Sequence, residues 1–240
     1  IKQYEPNCVG IKGVFVPQTG IVDYKQIAVK LAENINLNPN GNIILNSKIQ
    51  AIVGNEHGAV VHTDTERYEA RLVINCAGLY CDKVAAMAGE NLNMKIIPFR
   101  GEYYAIKPEK AHLVKNLIYP VPDPNFPFLG VHFTRRISGE IEAGPNAVFA
   151  FKREGYKKTD FKWSEFWDAI SFAGFRKVAS KYWKTGLGEY HRSYFKPAFV
   201  KALQQLVPSI TEDDLIPAGA GVRAQACDKD GGLIDDFYIQ

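Results

Sequence analysis

Between residues 42 and 151 the chain is cut every few positions by Gly, Asn or Pro turns, and short β-branched or alternating runs lie between the cuts. That rhythm constrains the fold more than any other feature. Residues 42–45, 48–54, 59–64 and 71–78 read as strands joined by Gly- and Asn-bearing turns, which is a meander and not a series of βαβ units. Further strands are expected at 94–99, 102–107, 116–121, 128–134, 141–145 and 147–151, with a Pro-rich turn at 120–127. So many strands without intervening helices call for one large antiparallel or mixed sheet.

Helical patterns flank this region. Asp23 with Gln26 three positions on forms a capping box, and Ile27, Leu31 and Ile35 repeat at helical spacing, predicting a helix over 24–36 after a strand at 11–18. Asp82 is a candidate cap for a short helix that Gly89 closes. Over 161–207 the period is again helical. Ser164 is a candidate cap, Gly174 a break, and Pro197 a first helical residue ahead of Phe199, Leu203 and Leu206. From 217 onward the chain is Gly-rich and extended. The expected class is α+β (mixed α/β): a large antiparallel or mixed sheet with helices.

Composition narrows the partners. Of the 240 residues 46% are hydrophobic and 23% charged, which excludes a disordered chain. No apolar run approaches the roughly 20 residues of a membrane span. Cys8, Cys76, Cys81 and Cys227 lack the spacing of a disulfide framework or a zinc site, so a reduced cytoplasmic setting is expected, with no metal. The chain starts at Ile1 and stops within the apolar run LIDDFYIQ, so a piece of a longer protein is expected. Net charge is only +3, yet residues 152–201 hold twelve Lys/Arg against five Asp/Glu. The same block carries Phe161, Trp163, Trp167 and Trp183. Lys/Arg interleaved with Trp and Phe suits a peripheral contact with an anionic membrane, or equally a helix with an aromatic core and a solvated outer face. A nucleic-acid role has no supporting motif.

The motifs that carry chemistry are few. Gly219–Ala224 matches the glycine fingerprint of dinucleotide sites in letters only, because no helix follows it. Ala77-Gly78, between a strand and a helix, lets backbone approach a ligand closely. His132 lies among apolar neighbours with Thr134 on the same strand face. Arg100 and Arg223 sit in apolar or glycine-flanked sequence, where arginine either grips a carboxylate or makes a structural ion pair.

At these positions the chain resembles a known group. The order VPQTGIVDYKQIAVKLAENI, KIQAIV, RYEARLVINCAGLYCDKVA, PFRGEYYAI resembles the FAD-dependent oxidoreductases of the D-amino-acid-oxidase superfamily. NLIYPVPDPNFPFLGVHFTRR, EAGPNAVFAFKREGY, TGLGEYHRSYFKPAFVKALQQLVPSI and AGAGVRAQACDKDGGLIDDF look like the L-2-hydroxyglutarate dehydrogenase/oxidase family. The resemblance implies oxidation of a dicarboxylate 2-hydroxy acid, with hydride passing to FAD and then to a quinone or oxygen. It implies His132 as base and Arg100, Tyr103, Tyr104, Thr134 and Arg223 as substrate ligands. Val53, Cys76, Ala77, Gly78, Gly221 and Val222 are implied on the FAD. Other superfamily substrates, an amino acid, an amine or glycerol 3-phosphate, are the rival reading.

The resemblance also implies a division of the chain. Residues 1–20 would serve the substrate domain, 21–90 an auxiliary part of the FAD domain, 91–216 the substrate domain, and 217–240 strands returning to the FAD domain. The family's strand–GxGxxG–helix unit is absent from these 240 residues, so this stretch by itself is expected to bind no FAD. The location implied is cytoplasmic, with peripheral attachment to the inner membrane through 152–201.

Overall fold

The computed structural model describes residues 1–122 and 130–239. Helix α1 (Tyr24–Leu37) is capped by Asp23, whose carboxylate accepts from the backbone N–H groups of Lys25 and Gln26. Strands β1 (Ile49–Asn55), β2 (Gly58–Thr63) and β3 (Arg67–Ala70) form an antiparallel meander. The β1–β2 turn is closed by Asn55, which accepts from His57 N–H, and by Gly58 at φ +143°, where a Cβ would meet the Ala70 carbonyl oxygen. A 3-10 turn (Gly78–Tyr80) runs into helix α2 (Cys81–Met87), which packs on β1 and on the next strand.

The large sheet is built on two long antiparallel partners, β4 (Met94–Ile106) and β8 (Leu215–Asp228), paired from Met94–Asp228 to Ile106–Leu215. Strands β5 (His132–Arg135) and β6 (Ile141–Gly144) extend it on the β4 side, β7 (Val148–Phe149) also pairs with β4, and β9 (Leu233–Ile234) pairs with β8. Helices α3 (Trp163–Ile170), α4 (Ala173–Tyr194) and α5 (Lys196–Leu203) cover it. Two apolar clusters hold these layers. One joins Phe133, Ile141, Phe199, Leu203 and Ile210, and the other joins Ile97, Phe175, Val178 and Cys227. Burial pushes the Cys227 thiol up to about 11, as befits a cysteine acting as a small hydrophobe. The mixed helix-and-antiparallel-sheet class therefore stands.

Several local expectations are corrected. Residues 11–18, 42–45 and 71–78 have strand-like sequence but form no strand, and β3 lies just upstream at Arg67–Ala70. A β-branched run becomes a strand only where another strand accepts its hydrogen bonds, and the described residues supply none there. Residues 94–99 and 102–107 are one strand, β4. Residues 116–121 make only a bridge, Ile118 to Phe133. Most of the expected 120–127 turn, and residues 128–129 of the next strand, lie outside the described residues. Asp82 caps nothing, because its carboxylate is buried against Arg153. Ser164 lies inside α3, behind Lys162. Gly174 breaks nothing: it is the second residue of α4, and a Cβ there would sit 1.8 Å from the Asp228 carbonyl oxygen. Residues 217–228 are a central part of the large sheet, so the boundary drawn at 217 divides a single strand.

Candidate active site

The cleft is set by strand alternation. Phe133 is fully buried in the core, so its neighbours on β5, His132 and Thr134, turn to the other face. The same alternation on β4 separates the two tyrosines. Tyr104 packs its ring 4.9 Å from Phe199 of α5, while Tyr103 turns to the His132 side. His132, Arg100, Tyr103, Gly221, Val222 and Arg223 line one cleft of about 280 Å3, joined by Phe99, Gly101 and the Pro145–Ala147 segment. That volume is at the small end of ligand sites, which run to about 300–1,000 Å3.

His132 is held on two sides. Its ring stacks on Tyr119 at 4.2 Å, and Nδ1 lies 3.1 Å from the Gly130 carbonyl oxygen. A carbonyl only accepts, so Nδ1 carries the proton and Nε2 keeps its lone pair. Burial lowers the imidazole pKa from its usual 6.5, and the nearby Arg223 cation lowers it further, against an upward pull from the Gly130 hydrogen bond. The ring is thus a neutral base at physiological pH. The Tyr119 hydroxyl lies 3.1 Å from Thr134 Oγ1, so Thr134 braces the residue that His132 stacks on and does not itself line the cleft.

The two arginines differ. Arg100 is only 3% exposed, and its guanidinium is engaged by Glu102 at 3.0 and 3.1 Å and by the Lys157 carbonyl at 3.1 Å. It is a structural ion pair in the cleft wall, and an incoming carboxylate would compete with Glu102. Arg223 is exposed and is the better placed cation for a substrate carboxylate. Burial, ahead of the charge of Glu142, raises the Tyr103 phenol, so it stays protonated and can donate. Tyr104 is removed from the substrate-binding set by its packing on Phe199.

Of the residues implied on the FAD, Gly221 and Val222 are in the cleft wall. Val53 is on the exposed part of β1, and Cys76 and Ala77 are exposed coil rather than the end of a buried strand. Gly78 opens the 3-10 turn at φ +54°, and that turn packs near β4 and β8. Among the described residues, the chain neighbours aside, no atom lies within 4 Å of where a Cβ would be at Gly78, Gly219 or Gly221. These are bare, open stretches of backbone on which a flat ring or a ribityl chain can lie, so the residues fit the cofactor. Among the described residues no group of His, Cys, Asp or Glu is arranged to hold a metal ion.

Three residues are not singled out by the sequence reading, although all three fall within the family-like motifs. Tyr119 lies in a segment read as a strand, and Asn146 falls between two such segments. Arg153 follows them, and its partner Asp82 is 71 positions away.

Comparison with known proteins identifies the family. A family model described as FAD dependent oxidoreductase matches residues 1–239. An L-2-hydroxyglutarate dehydrogenase from Indibacter alkaliphilus is 58% identical over 241 residues, covering 100% of this chain and 60% of that protein. The mitochondrial L-2-hydroxyglutarate dehydrogenase of Homo sapiens is 43% identical, covering 100% of this chain and 54% of that protein. The chain therefore spans little more than half the length of these relatives. The structure of L-proline dehydrogenase from P. horikoshii superposes with a TM-score of 0.50 at 13% identity, covering 84% of this chain and 42% of that one, a likeness of fold alone.

Proposed function

The chain belongs to the FAD dependent oxidoreductase family, and on that premise we propose that the whole protein oxidises the C2 hydroxyl of L-2-hydroxyglutarate to the 2-oxo acid. The observation that carries this reading is the cleft itself, which a neutral imidazole with Nδ1 on a backbone carbonyl lines together with a guanidinium and a phenol. Nε2 of His132 takes the hydroxyl proton as the C2–H bond breaks. Arg223 and Tyr103 hold substrate carboxylate, and the Phe99 side excludes water. Bound FAD supplies the two-electron acceptor. Gly221 and Val222, with Val53, Cys76, Ala77 and Gly78, would hold it. On this reading residues 21–90 serve the cofactor half, and residues 1–20 with the large sheet and α3–α5 serve the substrate half. Support for that division includes Glu5, which is buried and accepts from the backbone of Lys115.

The test is a dye-linked assay of the whole protein with L- and D-2-hydroxyglutarate, glycerol 3-phosphate, sarcosine and L-proline. Turnover is expected with L-2-hydroxyglutarate. Preference for glycerol 3-phosphate or an amine would reassign the substrate.

One further observation bears on the electron acceptor. The aromatics of the basic block divide. Phe166, Phe172 and Tyr182 are part-buried and Phe175 is buried, whereas Trp163, Trp167 and Trp183 are 71, 64 and 55% exposed. Exposed Trp beside Lys177, Lys181 and Lys184 is the composition of an interfacial face, and supports docking on anionic lipid with a quinone as acceptor. Among the described residues no helix is long and apolar enough to cross a membrane. Co-sedimentation of the whole protein with anionic vesicles is expected and should be lost when the three tryptophans become Ser. Equal recovery of both proteins would dismiss the docking.

A further inference from the structure

A buried charge cluster outside the cleft ties the Gly78–Tyr80 turn to the large sheet. Arg153, in the loop after β7, is 3% exposed, and its guanidinium makes a two-pronged pair with Asp82 of α2, each prong 2.7 Å. The same Nη1 donates to the carbonyl of Leu79, and the ring of Tyr80 lies over the guanidinium at 5.8 Å. Arg153 is itself anchored, since its backbone N–H donates to Glu165 of α3 at 2.7 Å. Asp82 in turn accepts from the Ile96 N–H of β4 at 3.2 Å. One guanidinium thus joins the turn, the first strand of the large sheet and the helical layer.

We propose that Arg153 is a positioning residue for the cofactor: its fork fixes the Gly78–Tyr80 turn, and with it the Cys76–Gly78 backbone that leads into it, at the height and angle at which FAD meets it. The inference rests on the reading above that this turn contacts FAD. Burying an ion pair is a poor way to gain stability, since well-packed apolar side chains do as well or better. What a planar fork adds is direction, because two carboxylate oxygens and one carbonyl must lie in fixed places. Direction matters here. Residues 74–77 upstream are exposed coil, and the turn is otherwise held by Asn75, which accepts from Ala77 N–H and donates to the Cys81 carbonyl. Asn75 fixes the turn's shape, while Arg153 fixes its place against β4. Asp168 supplies an internal control. It lies 3.6 Å from the same guanidinium and is paired with Lys83 and Lys95, but no hydrogen bond joins it to the turn among the described residues.

The experiment titrates FAD into the whole apoprotein by flavin fluorescence, with thermal unfolding and amide exchange of the apoprotein measured alongside. Arg153→Lys keeps the charge and loses the fork. It is expected to weaken FAD binding roughly tenfold, the size of coupling usual within one hydrogen-bond network, and to speed exchange at residues 78–80. Asp82→Asn should give the same pattern at smaller amplitude, and covers the case in which Arg153→Lys folds poorly. Asp168→Asn should leave FAD affinity within about twofold, since it weakens the flanking pairs with Lys83 and Lys95 but leaves the Arg153–Asp82 fork in place. Unchanged FAD affinity in Arg153→Lys would overturn the proposal, as would equal losses in Arg153→Lys and Asp168→Asn that follow their melting temperatures. Ala77→Glu separates the two levels of inference. If it leaves FAD binding intact, the turn does not meet FAD and both readings fall. If it abolishes binding while Arg153→Lys does not, only the role of Arg153 falls.

Discussion

Replacing His132 by Asn is the sharpest perturbation of the cleft. The amide can still donate to the Gly130 carbonyl that Nδ1 now faces at 3.1 Å, so the edge of β5 is preserved while the basic Nε2 is lost. Loss of a positioned general base costs about 10²–10⁴-fold in turnover, or roughly 3–5.5 kcal/mol of barrier. On the proposed reading substrate grip rests on Arg223 and Tyr103, so kcat should fall with KM nearly unchanged. The pH profile is more diagnostic. Burial lowers the His132 pKa below 6.5, and Arg223 lowers it further, so kcat/KM of the unaltered protein should fall only as pH drops through a value under 6.5. That acid limb should vanish in His132→Asn. In Arg223→Gln it should move up, because the positive charge of the protonated ring is then less disfavoured, and KM should rise in the same variant. Full turnover by His132→Asn, or an unchanged acid limb, would refute the base assignment.

Other outcomes follow from the packing. Phe133→Ala empties a fully buried site and should cost about 3–5 kcal/mol by urea unfolding; a loss under about 1 kcal/mol would remove it from the core. Gly174→Ala drives a Cβ into the Asp228 carbonyl oxygen and should destabilise by about 1–3 kcal/mol, whereas Gly186→Ala, with open space around it in the same helix, should stabilise by up to about 1 kcal/mol. Burial pushes the Asp168 carboxyl up, but hydrogen bonds from Lys83 and Lys95 outweigh it and hold the folded-state pKa below the usual 3.8. Its contribution is therefore present above about 3.8 and lost as pH falls through the lower folded value, so acid unfolding of Asp168→Asn should be flatter in that window.

Much of the fold was legible because local signals and tertiary demand agree. Asp23 followed by Ile27, Leu31 and Ile35 marks α1 almost to the residue, and Phe199 and Leu203 mark the buried face of α5. The failures share a cause. Residues 11–18, 42–45 and 71–78 carry the right side chains for strands, but strand formation depends on partners that sequence pattern does not reveal. Gly101 falls in the gap between the strands expected at 94–99 and 102–107, yet β4 runs through it as it runs through Pro98. The Pro98 carbonyl still accepts from Ala150 N–H, and Gly101 is where Pro145 packs too closely for a Cβ.

In the site, the pairing of His132 with Thr134 on one strand face follows from alternation alone. The difference between Tyr103 and Tyr104 needs to be known from the side on which α5 packs. Arg100 and Arg223 look alike in sequence, and only Glu102 and the Lys157 carbonyl reveal that Arg100 is engaged.

The central claim is that this cleft oxidises L-2-hydroxyglutarate in a flavoprotein, and anaerobic mixing of the whole, FAD-loaded protein with substrate tests it most directly. Stoichiometric bleaching of the flavin band by L-2-hydroxyglutarate is predicted, with none by the D enantiomer and a rate at least about a hundredfold lower in His132→Asn. Bleaching by glycerol 3-phosphate or L-proline in the absence of any response to L-2-hydroxyglutarate would contradict the account.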